Sequence, residues 1–323
     1  MWHRPRRGAP VSVTSGPTEA AIPALLHLGH VAPPALAELL ARADAARRGA
    51  APRLATASPV ALVCAEPAPY LRAEVEAGAA LLGLRVIVYG PAEARALGDA
   101  GVAGRRFGAL HAAVLASGMP AAAMEQLAGG AACPVVEAGG AGGDPAGAIA
   151  DLRVLTQALG GLASRKLAWV GDACGLLHDL MVAGAGQGLS VAVAHPIGYA
   201  PDAERVTWAR ERAAVTGASV HVGTELAEAL ADANAVYAEP WPDGAADRFR
   251  PYAVQRHALR GTRTGPVILH RAPERRGAEL SPAIVEDLGW LAAEQSRARA
   301  DAWAAILGWL LDPDPLRSVV RFT

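Results

Sequence analysis

Short apolar runs alternate along the chain with longer stretches in which apolar residues recur at helical spacing. Residues 60–64 (VALVC), 85–89 (RVIVY) and 166–170 (KLAWV) are apolar or nearly apolar runs of strand length. Stretches such as 34–48 and 70–83 carry apolar residues three and four positions apart, which is typical of helices. The pattern predicts further strands at 112–115, 134–136, 190–194, 219–222, 235–237 and 267–269, and further helices at 119–127, 145–160, 202–216, 227–231, 282–311 and a stretch ending near 188.

This alternation predicts an α/β fold of two Rossmann-like domains, each a parallel sheet with helices on both faces. The elements form two series that separate near residue 150, so we expect one domain over 21–150 and a second over 151–291. The basic, proline-interrupted start predicts a flexible leader over 1–20. Parallel sheets bind ligands at the carboxyl ends of their strands. We therefore expect the site in the loops that follow residues 64, 136, 170, 237 and 269.

Composition narrows the class of protein. Of the 323 residues, 52% are hydrophobic and 19% charged, and the formal net charge is -1. This balance argues against nucleic-acid and anionic-membrane partners, and no apolar run is long enough to predict a membrane span. The three cysteines are scattered and odd in number, which favours a reduced, cytoplasmic protein without a metal site. Lys166 is the only lysine, so any lysine chemistry would have to use it.

Three segments that follow predicted strands carry candidate chemistry, each with a structural alternative. Asp172 follows the strand at 166–170 and either caps the next helix or faces a ligand. The run 270–277 (HRAPERRG) either cradles an anion or is a solvated charge run. The run 239–244 (EPWPDG) either holds an amine between carboxylates or forms a Pro/Gly turn. A glycine-rich stretch at 184–188 ends a helix and precedes a strand, which is the wrong context for a dinucleotide fingerprint, so no cofactor is predicted.

The order of these pieces resembles the ornithine carbamoyltransferases. The run from residue 162 to 202 (LASRKLAWVGDACG…HPIGYAPD) is similar to that family's strand, Gly-Asp turn, helix, strand and P-x-G-Y-x-P-D loop. The HRAP segment resembles its His-Cys-Leu-Pro loop, and the run CAEPAPYLRAEVEAGAALLG resembles its carbamoyl-phosphate loop and following helix. The tail with Glu294, Gln295 and Arg297 resembles its closing helix.

The resemblance implies a first domain for carbamoyl phosphate, a second for an amino acid, and a C-terminal helix over 292–323 that packs back on the first domain. It also implies a homotrimer with sites at subunit interfaces and an interface loop near 91–106, where Arg95, Arg105 and Arg106 replace any lysine. The implied reaction is attack of a neutral amine on the carbonyl carbon of carbamoyl phosphate. Positioning and electrostatic stabilisation would supply most of the catalysis.

Several positions depart from the family pattern. The phosphate loop Ser-Thr-Arg-Thr-Arg becomes 68–72 (APYLR), where only the last arginine survives, and Pro69 removes a backbone N–H. His-Pro-x-Gln becomes 144–147 (DPAG), the arginine expected after the third strand falls at Ser117, and the asparagine of the amino-acid loop falls near Cys174. In the His-Cys-Leu-Pro loop, cysteine becomes Arg271 and leucine becomes Ala272.

These departures leave two hypotheses. The first is an ornithine carbamoyltransferase-like enzyme with an altered amino-acid or group-transfer substrate, taking an amino-acid-like or anionic small molecule. The second is a non-catalytic paralogue that acts as a ligand sensor or partner subunit. The candidate catalytic residues are His270, Arg271, Arg276 and Arg297; the candidate substrate-binding residues are Tyr70, Arg72, Asp144, Asp172, Glu239, Trp241 and Asp243.

Overall fold

The computed structural model describes residues 24–140, 142–273, 275, 277–286 and 291–312. The expected leader at 1–20, the candidate Arg276 and the end of the C-terminal segment lie outside the described residues.

The first half of the chain forms a five-stranded parallel sheet in the order β1-β5-β4-β2-β3. Each strand predicted there from sequence overlaps an observed one, and a short first strand was not predicted. The strands are β1 (Ala24–Leu25), β2 (Val60–Cys64), β3 (Val86–Tyr89), β4 (Ala113–Ser117) and β5 (Val135–Glu137). The helices are α1 (Pro33–Arg47), α2 (Pro69–Leu81), α3 (Pro91–Arg95), α4 (Ala100–Gly108), α5 (Ala121–Gly130) and α6 (Pro145–Leu159).

The segment expected to be an interface loop near 91–106 is instead largely helical, as α3 and α4. Asp99 caps α4 by accepting a hydrogen bond from the backbone N–H of Val102 at 2.8 Å. The glycines of this helix have a packing role. A Cβ on Gly104 would lie 2.2 Å from the carbonyl oxygen of Leu127, so α4 and α5 pack too closely there for any side chain.

The second half forms another five-stranded parallel sheet in the order β10-β9-β6-β7-β8, which confirms the predicted fold class of two parallel α/β sheets. Helices cover both faces. The strands are β6 (Arg165–Val170), β7 (Leu189–Ala194), β8 (Val220–Gly223), β9 (Ala235–Ala238) and β10 (Val267–His270). The helices are α7 (Gly175–Gly186), α8 (Ala203–Thr216), α9 (Leu226–Leu230), α10 (Ala246–Phe249), α11 (Pro282–Val285) and α12 (Ala292–Leu311).

One apolar core connects the two sheets. It contains Leu62 and Leu115 of the first sheet and Leu167 and Val193 of the second, all fully or nearly fully buried. The expected boundary near residue 150 falls inside α6, whose Leu152 belongs to the same core. The two halves are therefore joined by a shared helix rather than by a flexible linker.

The C-terminal helix α12 packs against α1, α2 and α6 of the first half. A Cβ on Gly78 of α2 would lie 2.5 Å from the carbonyl oxygen of Ala300, so the two helices are in backbone contact. Arg153 of α6 bonds Asp44 of α1 at 2.5 Å and Asp301 of α12 at 3.2 Å. Close packing and this ion-pair network fix the face that α12 presents to the rest of the molecule.

Among the described helices, none combines the length and the apolar character that crossing a bilayer requires.

Candidate ligand-binding cleft

A cleft of about 320 Å³ opens where the carboxyl ends of the two sheets face each other. Its walls come from the loops after β2, β4, β5, β9 and β10, together with α2, the start of α6 and α12. This is the location that the strand-end rule predicts for parallel sheets. The loop after β6, which carries Asp172, does not line it.

The start of α2 forms one wall and offers little to an anion. Ala68 precedes the helix without a side-chain cap, and Pro69 occupies its first turn. Tyr70 lines the cleft and is 53% exposed. Arg72 does not line it; the exposed guanidinium bonds Glu76 at 2.9 Å, one helical turn further along. Pro69 lacks one of the backbone N–H groups that a helix-start anion site uses, and no cationic side chain among residues 68–72 lines the cleft. This wall therefore has fewer donors than such a site and none of its positive charge.

The first sheet places two further groups in the cleft. Ser117, at the end of β4, donates its hydroxyl to the carbonyl oxygen of Gly139 at 2.9 Å. Asp144 caps α6, with Oδ1 accepting the backbone N–H of Gly147 at 2.8 Å. The backbone N–H of Asp144 in turn donates to Asp179 at 2.9 Å. A hydroxyl and a carboxylate thus face the cleft on this side.

Arg271 extends into the cleft from the end of β10 and is bound to Glu239, which follows the neighbouring strand β9. Its Nε donates to Glu239 Oε1 at 2.9 Å, and its Nη2 donates to the same oxygen. Glu239 is only 1% exposed, and burial raises the pKa of its carboxyl while Arg271 opposes that rise. The carboxylate raises the pKa of the Arg271 guanidinium further above its usual range. Two adjacent parallel strands therefore hold an ion pair at the cleft edge, in which the carboxylate is buried and the arginine is partly exposed.

Arg299 lines the cleft from α12 and was not predicted from the sequence. Its guanidinium lies 3.6 Å from the buried Asp151 and 3.4 Å from the hydroxyl of Tyr237. Gln295, one turn earlier, donates to Asp151 at 2.8 Å and accepts the backbone N–H of His270 at 3.1 Å. This chain of contacts joins α12 to α6 and to strands β9 and β10 of the second sheet.

The predicted Arg297 lies on another side of the same helix. Its side chain is 67% exposed and bonds Glu294 at 3.3 Å. Two residues correspond to a rotation of about 200° around a helix, so Arg297 and Arg299 cannot share a face. The signal that identifies the cleft face is the i, i+4 spacing of Gln295, Arg299 and Trp303, of which the last two line the cleft.

Glu74 of α2 is a second cleft residue that the sequence interpretation missed. Burial raises the pKa of its carboxyl to about 7; the Arg299 guanidinium counteracts this shift, and the nearby Asp144 and Asp151 reinforce it. A group with this pKa exchanges its proton near neutral pH. In the sequence, Glu74 could have been recognised as an acidic residue in the first half of a helix that follows a strand, on the helix face opposite Glu76.

Three other candidates have structural positions outside the cleft. His270 is buried behind it, with Nε2 3.8 Å from Glu279, and burial lowers the pKa of its ring to about 4, so the ring is neutral. Trp241 packs on Phe249, and its backbone N–H donates to Glu279 at 3.1 Å. Asp243 is 98% exposed and bonds Arg275 at 3.1 Å. Of the predicted residues, the structure therefore brings together Tyr70, Asp144 and Arg271 at the cleft, with Glu239 directly behind Arg271.

Comparison with known proteins adds to this geometry. Residues 163–310 match the profile of the aspartate/ornithine carbamoyltransferase Asp/Orn-binding domain. The chain is 32% identical over 197 residues to an ornithine carbamoyltransferase of Parafrankia sp. (strain EAN1pec), covering 58% of this chain and 62% of that protein. The aligned part thus spans about three fifths of the length of that relative.

Solved structures show the same architecture over nearly the whole chain. The ornithine carbamoyltransferase from Pyrococcus furiosus superposes with a TM-score of 0.82 at 24% identity, covering 89% of this chain and 96% of that one. The ornithine carbamoyltransferase from Gloeobacter violaceus superposes with a TM-score of 0.81 at 27% identity, covering 90% and 98%.

Proposed function

Because the chain belongs to the aspartate/ornithine carbamoyltransferase family, we propose that it is a transferase with an altered substrate pair. The protein is ornithine carbamoyltransferase-like in sequence and fold. In this proposal the second sheet binds an amino-acid-like molecule, in keeping with the profile matched at 163–310. The group donor differs from carbamoyl phosphate, and this difference sets the protein apart from its named relatives.

One observation carries the proposal: the wall at the start of α2 has lost its anion-binding character. Where the family loop has Ser-Thr-Arg-Thr, this chain has residues 68–71 (APYL), and Pro69 lies in the first helical turn. A hydrogen bond to a charged group contributes roughly 1.5–3 kcal/mol, so losing four such bonds costs on the order of 6 kcal/mol. Affinity for carbamoyl phosphate would fall by about 10⁴ at that cost.

The carboxylates around the cleft support the same proposal. Glu66, Glu74 and Asp144 line it together with Arg271 and Arg299. Glu66 and Glu74 therefore disfavour a multiply charged phosphate at the α2 wall itself.

We also propose that the chain is divided into a first domain over 21–150, a second domain over 151–291 and a C-terminal helix that packs back on the first domain. Three such chains assemble as a homotrimer. The half-exposed edge strand β3, with Ile87 40% exposed, supports a partner on that side of the first sheet. A reducing, cytoplasmic setting is supported by the three cysteines, all unpaired. Light scattering on the purified chain tests the assembly.

Binding and turnover measurements test the altered donor. We expect no citrulline from carbamoyl phosphate and ornithine, and no thermal stabilisation by carbamoyl phosphate at sub-millimolar concentration. Restoring the family loop with A68S, P69T, Y70R and L71T should raise carbamoyl-phosphate affinity by at least tenfold, since one or more charged hydrogen bonds return.

The matched control is L81R, which adds a positive charge at an exposed position near the end of the same helix. Citrulline formation by the unmodified chain would refute the altered donor. Binding of an amino acid with no transfer from any donor would instead favour a ligand sensor.

A further inference from the structure

Two guanidinium groups line the cleft, and each is held from behind by a buried carboxylate. Arg271 lies on Glu239, and Arg299 lies beside Asp151. We propose that Arg271 and Arg299 together form an oxyanion site, which takes the carboxylate or other oxyanion group of the ligand. The inference rests on the proposed function only in treating this cleft as the substrate site, and it places the anionic group away from the start of α2.

The contacts of Arg271 leave part of its guanidinium available. Both of its hydrogen bonds to Glu239 use Nε and Nη2 and converge on one oxygen, Oε1. With the residues that the structure describes, Nη1 makes no hydrogen bond, and the side chain is 35% exposed. A planar guanidinium fixed along one edge presents its remaining N–H groups in a defined direction, which suits an oxyanion. Glu239 is thus a positioning residue for Arg271.

Arg299 is fixed in a similar way, from helix α12. Its side chain is 12% exposed, and its partner Asp151 is completely buried. Asp151 is itself held in place, because the side-chain amide of Gln295 donates to its other oxygen at 2.8 Å. The Tyr237 hydroxyl, 3.4 Å from Arg299, belongs to a ring that stacks on Trp169 at 4.4 Å. Both guanidiniums are therefore oriented before any ligand arrives, which lowers the entropic cost of binding.

Carboxylates that face the two arginines decide how binding depends on pH. Glu74 from α2, Asp144 and Asp151 from α6, and Glu239 after β9 all lie within electrostatic range of one or both guanidiniums. Asp172 also lies near Arg271. Glu74 has a pKa of about 7 and lines the cleft itself. Below that pH it becomes neutral and ceases to compete with a bound anion.

Titration with sodium sulfate tests the site, because sulfate keeps the same charge across the whole neutral pH range. Calorimetry on the full chain should detect sulfate binding, with acetate as the carboxylate probe. The pair of substitutions R271Q and E239Q removes the ion pair without leaving a buried charge. It should weaken sulfate binding about tenfold or more, since a charged hydrogen bond is lost. The single R271K variant, which keeps the charge but not the planar fork, should weaken it less.

The matched control is R275Q. Arg275 is also an arginine of the 270–277 segment, but it bonds the exposed Asp243 and does not line the cleft. Sulfate affinity should be unchanged in this variant. Equal sulfate affinities for the unmodified chain and for R271Q/E239Q would overturn the proposal, as would an unmodified chain that binds neither sulfate nor acetate.

The pH profile supplies a readout that loss of structure would not mimic. Sulfate should bind more tightly as pH falls through about 7, the pKa of Glu74, and E74Q should bind it more tightly above that pH and flatten the profile. E76Q, on the exposed side of the same helix, should leave the profile unaltered. If E74Q kept the pH profile of the unmodified chain, Glu74 would not be the group that competes with the bound anion.

Failure of this site and failure of the proposed function have different signatures. Sulfate binding that depends on Arg271, together with citrulline formation by the unmodified chain, would keep the oxyanion site and refute the altered donor. Sulfate binding that ignores Arg271, with no citrulline formed, would refute the oxyanion site and leave the altered donor standing.

Discussion

At the scale of the residue, Glu137 shows how strongly burial changes the pKa of a side chain. It ends β5 and is 2% exposed, and its Oε1 has no hydrogen-bond partner among the described residues. A Cβ on Gly140 would lie 2.4 Å from that oxygen, so the glycine backbone closes directly over it. Burial raises the pKa of the carboxyl to about 8, and Asp144 and Asp179 add to the shift. Glu137 is therefore protonated at neutral pH.

This protonation predicts how stability depends on pH. The pKa in the fold, about 8, exceeds the value of about 4.3 in an unfolded chain, so the fold retains a proton that the unfolded chain releases. The stabilising effect of that proton is complete below about pH 4 and is lost as pH rises toward about 8. Compared with the unmodified chain, Glu137→Gln should therefore raise the free energy of unfolding by about 4–5 kcal/mol more at about pH 8.5 than at about pH 4.

Urea unfolding at the two pH values measures this difference. Glu125→Gln, on the exposed side of α5, is the matched control and should behave alike at both pH values. An equal effect of Glu137→Gln at the acidic and the alkaline pH would contradict the assignment.

At the scale of the element, periodicity predicts the sheets well and the placement of helices around the cleft less well. Strands buried on both faces read as continuous apolar runs, so every strand predicted from sequence overlaps an observed one. The helices α3 and α4 were missed because both are short and are bordered or interrupted by proline and glycine, which are typical of loops. Arg299 was missed in favour of Arg297 because the face of α12 depends on packing with α2, distant in sequence. Glu74 was missed because its position opposite Glu76 on α2 does not show which of the two acids faces the cleft.

The contact between α2 and α12 gives a prediction for this scale. Gly78→Ala should destabilise the fold by about 1 kcal/mol or more, because overpacking against the Ala300 carbonyl outweighs the gain in helix propensity. Gly129→Ala in α5 is the control, since a Cβ there has no neighbour within 4 Å; it should stabilise the fold by up to about 1 kcal/mol. Thermal unfolding of both variants tests the pair, and a stabilising Gly78→Ala would show that the helices can separate freely.

At the scale of the whole molecule, the shared core implies that the two sheets unfold together. Leu152 of α6 is fully buried, and its side chain approaches Gly184 of α7, so it contacts the second half from within the helix that joins both. Arg153, the next residue, bridges Asp44 and Asp301 on two other helices. Loss of packing at this position therefore affects both sheets at once.

Leu152→Ala should lower the free energy of unfolding by about 2–5 kcal/mol without splitting the transition. Tryptophan fluorescence and far-ultraviolet circular dichroism in urea should give the same midpoint. Leu110→Ala is the control, because Leu110 is 66% exposed and its loss should change stability by less than about 0.5 kcal/mol. Two separate transitions in the Leu152→Ala variant would show that the halves fold independently.

The single lysine has a consequence for labelling chemistry. Lys166 Nζ donates to the carbonyl oxygens of Glu228 and Ala231 at 3.2 and 2.7 Å, near the end of α9 and remote from the cleft. Acylation leaves a single N–H on that nitrogen, so at least one of the two hydrogen bonds is lost when this side chain reacts. Modification of one lysine, without competition from any other lysine, should therefore loosen the end of α9.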